Sequence, residues 1–214
     1  MMSKATSNTT VKIVEEIFNS LTHGLGVIAG IIGLILGIIL ISSQMWFKIG
    51  FIVYVSSLII LMLSSTLYHA LNFTKANKVF RVIDHSSIFL LIAGTFTPFA
   101  IYLYQGWARV VFLVIIWLIA VVGISINTAI LLPKNMKITR VIIYVCFGWV
   151  GLFFIPKMEM VSPSVIWLLV LGGVLYTLGV IPFALKKPFA HFSWHLFVIA
   201  AACAHFFAVI KLIY

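Results

Sequence analysis

The chain has 214 residues, of which 64% are hydrophobic and 8% are charged, and its mean hydropathy is +1.24. A soluble domain of this size does not need so apolar a surface, so the composition indicates a polytopic membrane protein and excludes a soluble one. The net charge of +10 does not indicate nucleic-acid binding, because the basic residues lie singly or in pairs between apolar runs. That distribution is typical of anchors that contact anionic lipid headgroups.

The N-terminal segment, residues 1–23, is expected to stay in the cytoplasm. Its first ten residues are polar and lack the apolar core of a signal peptide. Between residues 10 and 22, apolar side chains recur at helical spacing: Val14, Ile17, Phe18 and Leu21. Polar side chains lie around them: Lys12, Glu15, Glu16 and Asn19. This pattern predicts either a short amphipathic helix at the membrane interface or an N-terminal extension of the first span.

The remaining residues, 24–214, are expected to form one transmembrane domain. Seven continuously apolar runs predict its spans: 24–43, 49–69, 84–104, 109–131, 139–156, 164–185 and 191–213. The strands of a membrane β-barrel would instead alternate between apolar and polar residues. The fold is therefore predicted to be all-α, with seven transmembrane helices.

The distribution of lysine and arginine predicts the orientation of the spans. Ten of these residues fall on the side of the N-terminus and four on the other side. An excess of positive charge marks the cytoplasmic side of a membrane protein. We therefore expect a multi-pass protein of the cell membrane, with its N-terminus in the cytoplasm and its C-terminus outside.

Five polar side chains fall at the cytoplasmic ends of three predicted spans. Span two runs inward and ends at His69, with Ser65 one helical turn earlier, and span three begins at Asp84. His191 and His195 occupy the first two turns of span seven on one face, about 6 Å apart along the axis. Ionisable groups at membrane depth are costly and usually mark function. These residues are the candidate functional site.

The three histidines are of the type and spacing that bind zinc. A His-x-x-x-His pair on a helix can supply two imidazoles to one Zn²⁺, and His69 would supply a third. Three protein ligands leave one position for water, as in catalytic zinc sites. Zinc lowers the pKa of such a water toward ~7. Asp84 would orient and deprotonate the water, and Ser65 would support it as a hydrogen-bond donor or oxyanion contact.

A structural interpretation of each residue remains open when it is taken singly. A lone histidine is more often an interfacial or hydrogen-bonded packing residue, and Asp84 could form a salt bridge with Arg81. The combination favours a metal site, because a structural explanation must account for an acid and three histidines at one depth. The other histidines are not predicted ligands. His205 is expected to be a buried, hydrogen-bonded residue, and His85 is expected to point away from the site. His23 is expected to be a helix cap or a headgroup contact.

The same segments resemble a known family. The segments SSTLYHALN, DHSSI and HFSWHLFVIAACAHFF resemble the three signatures of the progestin and adipoQ receptor family, and EEIFNSLTHG and AGTFTP resemble its hemolysin III group. The similarity extends from about Glu15 to Ile210. It implies a seven-helix membrane fold with a cytoplasmic N-terminus. It also implies zinc held by three histidines, with Asp84 contacting it through water and Ser65 nearby; the ligands are His69, His191 and His195.

The resemblance leaves three functions open. Animal members of the family resemble receptors with ceramidase-like hydrolysis of lipid amides, and bacterial members are named for haemolysis and linked to membrane homeostasis. The first hypothesis is a zinc-dependent hydrolase of a lipid amide or ester at the cytoplasmic leaflet. The second is a channel-forming cytolysin, and the third is a receptor or membrane sensor with a structural zinc. Membrane lipids are the expected partners in each case, and the sequence carries no signal for an oligomeric state.

Overall fold

A computed structural model of the chain describes residues 2–41, 44–128, 137–185 and 187–213. Within these ranges the protein is helical and contains no strand, which confirms the all-α prediction. Seven α-helices and one 3₁₀ helix follow in chain order: α1 (Met2–Leu40), α2 (Met45–Ala70), α3 (Asn77–Leu103), α4 (Gly106–Thr128), α5 (Lys137–Gly148), the 3₁₀ helix Trp149–Met160, α6 (Pro163–Ala184) and α7 (Ala190–Ile213).

Six of the described helices are long and apolar enough to cross a membrane, namely α1 from Thr9 onward, α2, α3, α4, α6 and α7. They match six of the predicted runs, so the protein is a multi-pass membrane protein. The last residues of two predicted runs, 42–43 and 129–131, lie outside the described residues. The fifth run differs from the prediction, because α5 has only 12 residues and the chain continues as a 3₁₀ helix. An α-helix of that length rises about 18 Å, less than the ~30 Å of a bilayer core.

The N-terminal segment is continuous with the first span. A single helix runs through residues 10–22 into the first apolar run. The segment is therefore an N-terminal extension of the first span and not a separate interfacial helix. No proline interrupts this stretch, and large apolar side chains stay exposed on both sides of residue 23, among them Ile17, Leu21, Leu25 and Ile28. Because the apolar face continues without a break, residues 10–22 form one helix with the first span. The polar residues Glu16 and Asn19 face α2 and α7.

Helix α3 lies at the centre of the bundle. About 78% of its most apolar 18-residue stretch is buried, against 11% for that of α4 and 17% for that of α1. It packs closely on α2, where Gly94 lies directly against the Ser57 side chain. Helix α2 also contacts α7, where the Tyr54 hydroxyl donates a hydrogen bond to the Ala202 carbonyl at 3.3 Å. This arrangement brings the C-terminal end of α2 beside the N-terminal ends of α3 and α7.

Candidate metal centre

Three imidazoles converge where α2 meets α7. His69 lies in the last turn of α2, and His191 and His195 lie in the first two turns of α7. The Nε2 atom of His191 is 3.2 Å from the Nε2 atoms of both His69 and His195. The ligand atoms of all three residues lie within 4.8 Å of one another. Nitrogens that share one tetrahedral zinc ion at 2.0–2.1 Å are about 3.3 Å apart, so this spacing fits a single small cation.

The three histidines differ in exposure. The side chains of His69 and His195 are buried, with residue exposures of 4% and 1%, whereas His191 is partly exposed. The polar atoms of buried side chains are in most cases hydrogen-bonded. The centre is thus closed on the side of His69 and His195 and can be reached on the side of His191.

Helix α1 supplies partners for the Nδ1 atoms of His69 and His195. The Nδ1 atom of His69 lies 2.6 Å from Oε2 of Glu16, whose Oε1 accepts a hydrogen bond from Nδ2 of Asn72 at 2.7 Å. The Nδ1 atom of His195 lies 3.3 Å from the carbonyl oxygen of Asn19. Carboxylate and carbonyl oxygens only accept, so both Nδ1 atoms carry the hydrogen, and in the neutral imidazoles both Nε2 atoms then present a lone pair. Metal-binding histidines are held in this way.

Asp84 and Ser65 lie beside the histidines. Asp84 lies two turns inside α3, near His69, and its carboxylate forms a side-chain hydrogen bond with Ser65. It does not belong to the group of converging ligand atoms among the described residues. Its Oδ2 is 3.6 Å from Nδ1 of His85, and no ion pair with Arg81 is found in the described part of the chain. The structure therefore brings all five predicted residues together, with Asp84 next to the ligand group and outside it.

Most of the acidic residues of the chain surround this centre. The sequence contains only four aspartates and glutamates, and Glu15, Glu16 and Asp84 all interact electrostatically with His69. Glu15 also faces the backbone N–H groups of Phe189 and His191 at the start of α7. In a chain of net charge +10, this concentration of negative charge favours the binding of a divalent cation.

Comparison with known proteins identifies the family. A family model described as "Haemolysin-III related" matches residues 11–206. The chain is 37% identical to the Hemolysin-3 homolog of Bacillus subtilis (strain 168) over 202 residues, covering 92% of this chain and 94% of the relative. The chain belongs to the haemolysin-III family. Hemolysin-3 of Bacillus cereus is also 37% identical, over 98% of this chain and 96% of that protein. The monocyte to macrophage differentiation factor of Homo sapiens is 28% identical over 94% and 85%.

The family match confirms the resemblance inferred from the motifs. Two residues of the motif EEIFNSLTHG, Glu16 and Asn19, were not predicted to belong to the site. Glu16 and Asn19 of this haemolysin-III protein were assigned to the polar side of an amphipathic helix, although they contact the candidate ligands. The scarcity of acidic residues is the signal that could have identified Glu16. Carboxylates are rare in this chain, and a carboxylate on an apolar helix needs a partner.

The other histidines of the haemolysin-III chain lie outside the ligand group. His23 is buried, and its ring stacks on His195 with a centroid distance of 3.8 Å and an interplanar angle of 9°, so it is not a headgroup contact. His205 is hydrogen-bonded through Nε2 to the Leu169 carbonyl at 3.1 Å, as expected for a packing residue. His85 donates from Nδ1 to the Arg81 carbonyl at 2.7 Å. The sequence did not reveal that His23 lies against the centre.

Proposed function

We propose that this haemolysin-III protein is a zinc-dependent hydrolase of a lipid amide or ester at the cytoplasmic leaflet. One observation carries the proposal: three imidazole nitrogens converge on one point, and a carboxylate lies next to them without joining them. Structural zinc sites are closed by four protein ligands, whereas catalytic sites have three and an open position. The described residues at this centre fit the second arrangement, with His69, His191 and His195 as the ligands and Zn²⁺ as the cofactor.

The residues around the ligands have separate roles in this proposal. Zinc would act as a Lewis acid and lower the pKa of water toward ~7. The Asp84 carboxylate accepts a proton from the attacking water and returns it to the leaving group, which is general base and acid catalysis. The Ser65 hydroxyl donates to Asp84 and fixes its direction. His191, on the partly exposed side, lies where the carbonyl of a lipid would enter.

The proposed topology has seven spans, with the N-terminus in the cytoplasm. For this count, α5 and the 3₁₀ helix Trp149–Met160 must cross the membrane together. Their combined rise is about 40 Å at 1.5 and 2.0 Å per residue, which is enough for a bilayer core of ~30 Å. The excess of lysine and arginine on the N-terminal side supports the orientation. The centre then lies at the inner leaflet of the plasma membrane.

Substitution of Asp84→Asn tests the hydrolase. The variant retains all three histidines, so it is expected to bind zinc at the wild-type stoichiometry, while turnover falls by roughly 10²–10⁴-fold because the base is lost. Lipids are profiled in a deletion strain that expresses wild-type protein, Asp84→Asn or Glu159→Gln, a control at an exposed acidic residue. Lipids that change on deletion should return to normal with wild-type and the control only. Full restoration by Asp84→Asn would contradict the proposal.

Membrane lysis is the second candidate, because two relatives at 37% identity carry the name Hemolysin-3. Helical pores need polar lining across the membrane. The described space between α2, α3 and α7 is filled instead by large buried side chains such as Phe51, Tyr54 and Phe99. Purified protein in planar bilayers is therefore expected to show no conductance. Conductance that persists after all three histidines are replaced would favour the cytolysin.

A further inference from the structure

Successive turns in the N-terminal half of α1 contact the candidate metal centre. Glu16, Asn19 and His23 are spaced so that they share one face of the helix. The Glu16 carboxylate contacts His69, the Asn19 carbonyl contacts His195, and the His23 ring stacks on His195. The continuity of α1 through this region is what brings the three residues to the centre.

We propose that Glu16 is a positioning residue of this centre, which holds His69 so that its Nε2 atom faces the cation. The inference rests on the metal site of the proposed function and adds a residue to it. It assigns a role to the N-terminal extension that is separate from crossing the membrane.

Both oxygens of Glu16 are engaged at the end of α2. Oε2 lies 2.6 Å from Nδ1 of His69, and Oε1 lies 2.7 Å from Nδ2 of Asn72. Because Asn72 fixes the carboxylate, the direction of the His69 ring is fixed as well. A hydrogen bond to an ionised acceptor is roughly twice as strong as a neutral one. His69 is therefore held more firmly than His195, whose partner is a neutral carbonyl oxygen at 3.3 Å.

A purely structural role for Glu16 would be to attach α1 to α2. Other contacts already join these helices close by: the Ser20 hydroxyl donates to the Thr66 carbonyl at 3.2 Å, and Gly24 packs against the Thr66 side chain. A neutral residue of the same shape would serve that attachment equally well. The side chain of Glu16 is only 14% exposed, and burying a charge to this extent is costly unless the charge itself is used.

Substitution of Glu16→Gln separates the two roles, because glutamine retains the size of the side chain and loses the charge. Metal-free full-length protein in detergent is titrated with Co²⁺, whose visible spectrum reports its coordination, and Zn²⁺ is then used in competition. Glu16→Gln is expected to bind both ions roughly 10–100-fold more weakly than wild-type, the usual effect of losing a partner of a metal-binding histidine. The matched control Glu159→Gln, at an exposed acidic residue, should bind like wild-type.

The thermal midpoint of the metal-free protein completes the test. This midpoint should be nearly the same for wild-type and Glu16→Gln. An unchanged metal affinity in Glu16→Gln would overturn the inference while leaving the metal site in place. If wild-type itself binds neither ion, the proposed function fails and the inference with it. If Glu16→Gln does not fold, Asn72→Ala decides: it removes the hydrogen bond that fixes the Glu16 carboxylate against His69 and should weaken metal binding by a smaller factor. Wild-type affinity in Asn72→Ala would then overturn the role of Glu16.

Discussion

Substitution of His191→Gln should abolish the stabilisation of the protein by zinc. His191 lies between the other two candidate ligands, since its Nε2 is 3.2 Å from the Nε2 atoms of both His69 and His195. Its side chain is also the most exposed of the three, so replacing it disturbs the packing least. The variant therefore tests metal binding with little direct effect on the stability of the metal-free fold.

The size of the effect follows from linkage. A ligand at 100 times its Kd stabilises the native state by about 2.7 kcal/mol. For a chain of 214 residues, about 2–4 °C of Tm per kcal/mol converts this to a rise of roughly 5–11 °C. A variant that binds a thousandfold more weakly gains less than about 0.1 kcal/mol at the same free zinc, so its Tm should rise by less than about 1 °C.

The assay is thermal unfolding in detergent, followed by tryptophan fluorescence, with free zinc set by a metal buffer. His205→Gln is the matched control, because His205 is partly buried on the same helix and bonded to the Leu169 carbonyl outside the ligand group. It should lower the Tm of the metal-free protein and retain the zinc-dependent rise. A zinc-dependent rise in the Tm of His191→Gln as large as that of the wild-type protein would refute the assignment of His191 as a ligand.

Two further predictions concern packing and topology. Gly94→Ala places a Cβ atom in steric overlap with the Ser57 side chain and should destabilise the protein by about 1–3 kcal/mol. Gly148→Ala, which meets nothing within 4 Å, should change stability by less than about 0.5 kcal/mol in the same thermal measurement. In a background without native cysteines, an impermeant thiol reagent should label exposed Gln105→Cys on intact cells and exposed Thr74→Cys only after lysis. Labelling of Thr74→Cys on intact cells would contradict the orientation.

The features that the sequence predicted well depend on local patterns. Apolar runs of sufficient length predicted six spans, because the thickness of a bilayer sets the length of a helix that crosses it. The pair His191 and His195 shares a helix face by its spacing alone. The position of His69 beside them followed from the alternation of spans, which brings the end of α2 and the start of α7 to one side of the membrane.

The features that the sequence left open depend on tertiary contacts. An interfacial helix and an extension of the first span have the same amphipathic pattern, and only the contacts of Glu16 and Asn19 with α2 and α7 distinguish them. The fifth apolar run also contains residues that disfavour an α-helix, which a hydropathy pattern does not show. Gly148, Gly151 and Pro156 all disfavour a continuous α-helix, and the α-helical part ends at Gly148.

The coordination of zinc in the purified protein tests the central claim most directly. Metal analysis should give one zinc per chain, and X-ray absorption at the zinc edge should show three imidazole nitrogens and one oxygen at about 2.0–2.1 Å. In the His191→Gln variant this signal should be lost. A fourth imidazole or a sulfur ligand in the wild-type spectrum, or an unchanged spectrum in the variant, would contradict a three-histidine centre with an open position.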